Sequence, residues 1–245
     1  MVCVLCLCTV SCYKAPTGKA AYDADNSATR KGQDIKMTAV KEEIDSMKAE
    51  DFVASSQQSD YVLIKIKNYG DIVVVLRHDV APITVENFKK LVAEGFYNET
   101  VFHRVIEGFM IQGGGCIVAP EGSKDYFDYK TSEKIQGEFN ANGFINNLTH
   151  VRGVIAMARV GAASDATDEE KTAAYNSATS QFFIVHETGD SARSLNGDYA
   201  TFGYVLAGMD VVDKIATCLV LDPDSNAPVP VEDVVIESMT FVEPK

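Results

Sequence analysis

The chain has 245 residues, 46% of them apolar, and a formal net charge of −13 at pH 7. This length and apolar content suffice for one medium-sized domain with a buried core and additional chain outside it. Residues 1–58 hold seven basic and eight acidic residues, so nearly all of the negative excess lies in residues 59–245. Proteins bind nucleic acid largely by neutralising phosphates with Lys and Arg, so a chain this acidic is predicted to bind none.

The N-terminus consists of small and apolar residues as far as Cys12, after which the sequence turns polar. Ser11 followed by Cys12 is typical of bacterial lipoprotein signals, in which that cysteine becomes the lipidated first residue. The basic stretch that opens such a signal is missing and the apolar run is short, as they would be if the true start lay upstream. We therefore expect an extracytoplasmic lipoprotein with a lipid anchor on Cys12. The alternative is a hydrophobic N-terminal segment on a cytoplasmic protein.

Residues 13–58 are mostly small and polar, which predicts a flexible tether between residues 1–12 and a compact domain over 59–245. Val40, Ile44 and Met47 recur at helical spacing and predict a weak amphipathic helix within residues 36–52. Cys116 and Cys218 are the two cysteines of the compact domain. They could form a disulfide, but two buried free thiols are the favoured interpretation.

The compact domain is rich in strands. Eight β-rich runs are predicted at residues 61–67, 72–76, 100–106, 109–112, 154–158, 181–185, 201–206 and 234–241. One helix is predicted from Pro82, with Thr84 as its cap and Gly95 at its end, and a second over residues 209–216. Without alternating βαβ units, this order predicts a closed eight-stranded antiparallel barrel with two helices. Residues 115–150 and 161–179 are predicted loops, and the second, acidic one could contain a short helix.

Residues 102–114 are the most informative stretch. They place Arg104 among large apolar side chains on two short strands that only Glu107 and Gly108 separate. A guanidinium is always charged and carries a rigid fork of donors. Its position beside Phe109 and Met110 indicates a pocket that holds an apolar group and directs a hydrogen bond at it.

Four sequence blocks resemble the cyclophilins, a family of peptidyl-prolyl cis–trans isomerases. The blocks occur in the family's order, with similar spacing, across about residues 61–242. They are Phe102–Gly114, Gly153–Ala158, Ser180–Ile184 and Leu195–Val205. The resemblance implies an eight-stranded antiparallel barrel with a helix over each open end. It also implies an enzyme that accelerates rotation about X–Pro bonds in flexible polypeptides, acts as a monomer and needs no metal or cofactor.

The resemblance implies a role for individual residues. Arg104 corresponds to the catalytic arginine, Gln112 would hydrogen-bond the substrate backbone, and His103 would be a wall residue. The substrate-contacting apolar and polar positions would be Phe109, Met110, Phe183, Leu195, Ala158, Gln181 and Tyr199. The family pattern is broken at four positions: Gly115 replaces an acid, Arg159 an asparagine, Ser194 an aromatic residue and Tyr199 a histidine.

Two other functions fit the same pattern. The barrel could bind proline-containing segments with little turnover, or it could hold a small ligand in a hollow interior. The bulky residues Phe102, Phe182 and Ile184 favour a filled interior. The segment Asp222–Asn226 is similar to a calcium loop, but Ala227 stands where a glycine is needed, so we interpret it as a turn.

Overall fold

The computed structural model describes residues 43–118 and 127–245. These residues form strands β1 to β13, four α-helices α1 to α4, and 3-10 turns at Ala49–Asp51 and Asn140–Asn142. The strands are Phe52–Ala54, Tyr61–Ile66, Gly70–Leu76, Phe102–Ile106, Met110–Gly113, Cys116–Val118, Phe127–Tyr129, Val154–Met157, Phe182–Val185, Thr201–Ala207, Val220–Leu221, Val229–Pro230 and Ile236–Pro244. The helices are Pro82–Ala93, Asp168–Tyr175, Asp190–Arg193 and Met209–Ala216. No helix in the described ranges combines the length and apolar character that a membrane crossing requires.

Nine of the strands form one antiparallel sheet in the order β1-β13-β2-β3-β10-β8-β9-β5-β4. All eight predicted strands are present, and the ninth, β1, pairs with the end of β13. β4 is the last strand in this order, and its outer edge bonds to the chain just before β13. The Phe102 N–H donates to the Val234 carbonyl at 2.9 Å, and Val101 and Val235 form a bridge. The protein is therefore mainly β, with a large antiparallel sheet.

The predicted N-terminus of the first helix is wrong in one respect. Thr84 lies inside the first turn of α1, and no N-cap side chain bonds to that turn. Glu138, 54 residues away, accepts the N–H of Thr84 at 2.7 Å and its hydroxyl at 2.8 Å. The N–H of Ile83 donates to the other oxygen of Glu138 at 3.0 Å. A buried carboxylate thus meets the positive end of the helix. Gly95 follows the helix end as predicted, with a φ of +64°.

The core is filled with aromatic rings. Phe182 lies at the centre of these rings, with centroids 5.7 Å from Phe88, 5.7 Å from Tyr97 and 5.9 Å from Phe102. All four side chains are fully buried. Close packing of this kind leaves no room for a small ligand, which argues against a hollow barrel. Cys116 is buried and Cys218 is half-buried, and each is a thiol rather than half of a disulfide.

The residues before β2 pack on the outer face of the sheet. The Met47 N–H donates to the Leu206 carbonyl at 3.1 Å, and Ile44 and Met47 cover an apolar group that includes Val73 and Val154. Just before β1, the Asp51 carbonyl accepts the Lys245 N–H at 2.9 Å. These contacts hold residues 44–54, part of the segment assigned to the tether, against the sheet.

Candidate active site

The β4–β5 hairpin places Arg104 directly across from Gln112 and Ile106 across from Met110. The hairpin turns at Glu107 and Gly108, where a φ of +75° at Gly108 suits the residue without a side chain. Because residues two apart on a strand share a face, Arg104 and Ile106 point the same way as Met110 and Gln112. The short hairpin therefore sets a cation, an amide and a thioether side by side.

Arg104 is only 5% exposed, and neutral acceptors hold it in place. Its Nε donates to the Asn226 carbonyl at 2.9 Å, while Nη1 lies 3.2 Å from Gln112 Oε1 and 3.6 Å from the Met110 sulfur. The Gln112 amide in turn donates to Gln181 Oε1 at 2.9 Å. These contacts fix the guanidinium through two of its nitrogens, Nε and Nη1. Its charge is therefore oriented before any substrate binds.

An apolar cluster lies beside the guanidinium. Phe183 forms its wall, with the Tyr199 ring nearly perpendicular at 6.0 Å between centroids. The other buried members are Phe109, Met110, Ala156, Ala158, Val185, Ala192 and Leu195. The Met110 sulfur, which contacts Arg104, joins this cluster to the cation. The arrangement offers an apolar surface next to a fixed hydrogen-bond donor.

Behind the cluster, His150 stacks on Phe183 at 5.8 Å with the rings 13° apart. His150 is 1% exposed, and its Nδ1 lies 3.0 Å from the Asn196 side-chain oxygen. Burial lowers the pKa of His150 to about 4, so the ring is neutral near pH 7. Burial, with the nearby Arg104 charge, also lowers the pKa of His103 to about 4. Both histidines therefore serve as neutral walls.

A cavity of about 560 Å³ opens on the other side of Arg104. Among the described residues that line the cavity, three carry a positive charge, namely Arg104, Lys130 and Arg159. None of the described lining residues carries a negative charge. The Arg159 guanidinium lies 4.5 Å from the Tyr199 ring centre and 5.0 Å from that of Tyr175 on α2. Helix α2, in the acidic segment, thus packs a ring against Arg159.

The ten predicted site residues in the described chain meet in two adjoining places. His103, Arg104, Gln112, Ala158 and Gln181 line the cavity. Phe109, Met110, Ala158, Phe183, Leu195 and Tyr199 form the apolar cluster, which shares Ala158 with the cavity. Cys12 lies outside the described residues.

The departures from the family pattern have local reasons in the structure. A side-chain Cβ at Gly115 would overlap Gln181 Cγ, so the missing acid at this position leaves room for Gln181. Ser194 is exposed and donates its hydroxyl to the Ser191 carbonyl at 2.7 Å. Residues that the sequence did not assign to the site also contribute. Asn226 acts through its backbone carbonyl, which any residue type provides, and Lys130 lies in a predicted loop.

Comparison with known proteins agrees with this geometry. The family described as cyclophilin type peptidyl-prolyl cis-trans isomerase/CLD matches residues 61–241. Peptidyl-prolyl cis-trans isomerase B of Escherichia coli (strain K12) is 45% identical over 181 residues, covering 72% of this chain and 96% of that protein. A peptidyl-prolyl cis-trans isomerase of Acinetobacter baylyi is 41% identical over 151 residues, covering 61% of this chain and 68% of its own.

Solved structures are similar as well. A cyclophilin type peptidyl-prolyl cis-trans isomerase of Cryptosporidium parvum superimposes with a TM-score of 0.56 and 27% identity, covering 76% of this chain and 98% of its own. The same protein in the presence of the dipeptide Ala-Pro gives a TM-score of 0.53, with 74% and 98% covered. The family match spans most of the chain and contains both the cavity and the apolar cluster, and we conclude that this protein belongs to the cyclophilin-type peptidyl-prolyl cis–trans isomerases.

Proposed function

We propose that the protein speeds rotation about X–Pro bonds in flexible polypeptides, with Arg104 as the catalytic residue and the apolar cluster as the proline pocket. The observation that carries this proposal is the fixed Arg104 guanidinium at the border between the cluster and the cavity. Unaided rotation takes tens to hundreds of seconds because amide resonance sets a barrier of about 18–20 kcal/mol. No covalent bond breaks, so the protein need only bind the twisted amide better than either planar form.

The mechanism follows from the neighbours of Arg104. As the imide twists, the prolyl nitrogen becomes pyramidal and regains a lone pair, which can accept a hydrogen bond. The Arg104 fork, held by Gln112 and Asn226, needs no rearrangement to donate to it. Phe109, Met110, Phe183 and Leu195 would hold the ring. A preorganised donor next to a desolvated pocket contributes several kcal/mol, or several decades in rate.

The cavity supports a preference for acidic residues beside the proline. Arg104, Lys130 and Arg159 line it, and no described lining residue is negatively charged. Peptides with Glu flanking the proline should therefore be isomerised about three- to tenfold more efficiently than matched Lys peptides at low salt. The difference should shrink at 0.5 M salt because exposed charges are then screened.

Exchange NMR on the same peptides measures this preference and also separates an enzyme from a binding module. Two-dimensional exchange NMR reports both the cis–trans exchange rate and the cis population of each peptide. An isomerase at catalytic concentration raises the rate and leaves the cis population unchanged. A binding module would change the population only at stoichiometric concentration and leave the rate low, which would contradict the proposal.

We also propose that the sheet is a closed barrel and that the protein acts as a monomer. The bonds from β4 to the chain before β13 support closure, because they join the two sides of the sheet. The ten site residues of the described chain complete the cavity wall and the apolar cluster without a partner subunit, which is compatible with a monomer. Fast hydrogen exchange at the Phe102 amide, or activity per molecule that rises with concentration, would argue against these two points.

We further propose that Cys12 carries a lipid that anchors the protein outside the cytoplasmic membrane. The support is the sequence Ser11-Cys12 after an apolar stretch and before a polar segment. Replacing Cys12 with Ala should move the protein from the membrane fraction to the soluble fraction, while Cys218→Ala should not. Unchanged membrane fractionation of the Cys12 variant would contradict the lipid anchor.

A further inference from the structure

His186 contacts the turn of the hairpin that carries Arg104 and Phe109. It follows β9 directly and is 5% exposed. Its backbone N–H donates to the Phe109 carbonyl at 2.9 Å, and its ring Nδ1 accepts the Gly108 N–H at 3.0 Å. One residue therefore holds the turn through both its backbone and its side chain.

The other ring nitrogen faces a charged pair. His186 Nε2 lies 3.2 Å from Asp213 Oδ1 on α4. The Arg152 guanidinium donates two hydrogen bonds, of 2.7 and 2.8 Å, to the same carboxylate. It also donates to the His186 carbonyl at 2.8 Å. The Arg152 hydrogen bonds lower the pKa of Asp213, so this carboxylate is ionised near pH 7.

These contacts determine the form of the ring. The Gly108 N–H can only donate, so Nδ1 must be the unprotonated nitrogen. The proton of the neutral ring then sits on Nε2 and points at Asp213. A ring held from both nitrogens cannot rotate without losing one of the two bonds.

We infer that His186 is a positioning residue for isomerisation: it holds the Gly108 turn so that Phe109 stays in place as a wall of the proline pocket, and Asp213 and Arg152 orient its ring. Phe109 follows Gly108 directly and is 8% exposed within the apolar cluster. Arg104 lies on the preceding strand of the same hairpin. Movement of the turn would therefore displace both Phe109 and Arg104, the two residues proposed to contact the substrate. The inference rests on the proposed roles of Phe109 and Arg104.

Two substitutions of His186 test this directly. In His186→Asn the side-chain oxygen takes the place of Nδ1 and still accepts from Gly108, but the contact with Asp213 is lost. In His186→Gln the amide reaches toward Asp213, but the acceptor for Gly108 is lost. Each variant keeps one of the two bonds, so the pair is matched in the number of hydrogen bonds removed.

We expect His186→Gln to lower kcat/KM about tenfold, the effect of one lost positioned hydrogen bond, and His186→Asn to stay within about threefold of the unchanged protein. The Gly108 amide should exchange with solvent faster in the Gln variant only. A purely structural role for His186 would impair both variants equally. Equal impairment, or full activity of the Gln variant, would overturn the inference.

Asp213→Ala provides a second route if a His186 variant does not fold, because the Asp213 side chain is 41% exposed. Without the carboxylate the ring can turn away from Gly108, and Arg152, which also bonds to the His186 carbonyl, loses its partner. We therefore expect kcat/KM to fall by about three- to tenfold in a protein with normal far-UV circular dichroism. Unchanged kcat/KM in that variant would contradict the orienting role of Asp213. Arg104→Ala, measured alongside, separates the two levels. Loss of activity there with full activity in His186→Gln would refute only the positioning role, whereas full activity in Arg104→Ala would refute the proposed site itself.

Discussion

Replacing Arg104 with Ala should reduce kcat/KM for a proline peptide by about two to three orders of magnitude. The guanidinium is the fixed donor between the cavity and the apolar cluster, and alanine supplies neither charge nor hydrogen bond. The loss should fall mainly on kcat, because the donor is used in the twisted state more than in the planar one. A protease-coupled assay or exchange NMR measures both constants.

Two variants control for charge and folding. Arg104→Lys keeps the positive charge but loses the planar fork that bonds Gln112 and Asn226 together, so it should recover only part of the lost rate. Arg77→Ala removes an arginine that pairs with Asp79 and lies outside the cavity and the apolar cluster, and it should leave the rate unchanged. Wild-type activity in Arg104→Ala would show that this residue is not the catalyst and would refute the proposed site.

Replacing Glu138 with Ala should lower the free energy of unfolding by about 3 kcal/mol. Glu138 is 1% exposed and accepts three hydrogen bonds, two of them from the N–H groups of Ile83 and Thr84. Its removal leaves the N–H and hydroxyl of Thr84 buried without an acceptor, at a cost of about 1–3 kcal/mol each before any rearrangement, and the part-buried N–H of Ile83 loses its partner as well. It also removes a negative charge from the positive end of α1.

Urea denaturation with a constant slope measures this loss. Glu138→Gln keeps one acceptor oxygen but turns an NH₂ group toward the helix donors, so it should recover less than half of the stability. Glu94→Ala, at the exposed end of the same helix, should change stability by no more than about 0.5 kcal/mol. A loss below about 1 kcal/mol in Glu138→Ala would show that water or another group replaces the carboxylate.

The sequence predicted the parts of the structure that depend on neighbouring residues. Residues 100–106 and 109–112 were predicted as two short strands that only Glu107 and Gly108 separate, and the structure pairs these strands, with Arg104 across from Gln112. The segment 161–179 contains helix α2, where Thr167 and Glu170 form a reciprocal cap that is visible as a local pattern. These features need only residues that are a few positions apart.

Long-range contacts could not be predicted in the same way. The Asn226 carbonyl that holds Arg104 is 122 residues away in sequence, and a carbonyl carries no residue-type signal. Thr84 was predicted as the helix cap because threonine commonly has that role. In the structure Glu138, from a distant loop, accepts the helix N–H groups instead. β1 was missed because three residues with one buried side chain have no clear period, and only pairing with β13 makes them a strand.

The residues that lie against the outer sheet face bear on where the folding unit begins. The family match covers residues 61–241, but Ile44, Met47 and β1 shield Val73, Val154 and Leu206 and cover the edge of β13. A fragment cut to the length of the match would expose an apolar patch and the unpaired edge of β13, and both features favour self-association. For this protein, a well-behaved recombinant form should retain Ile44, Met47 and the residues through Lys245.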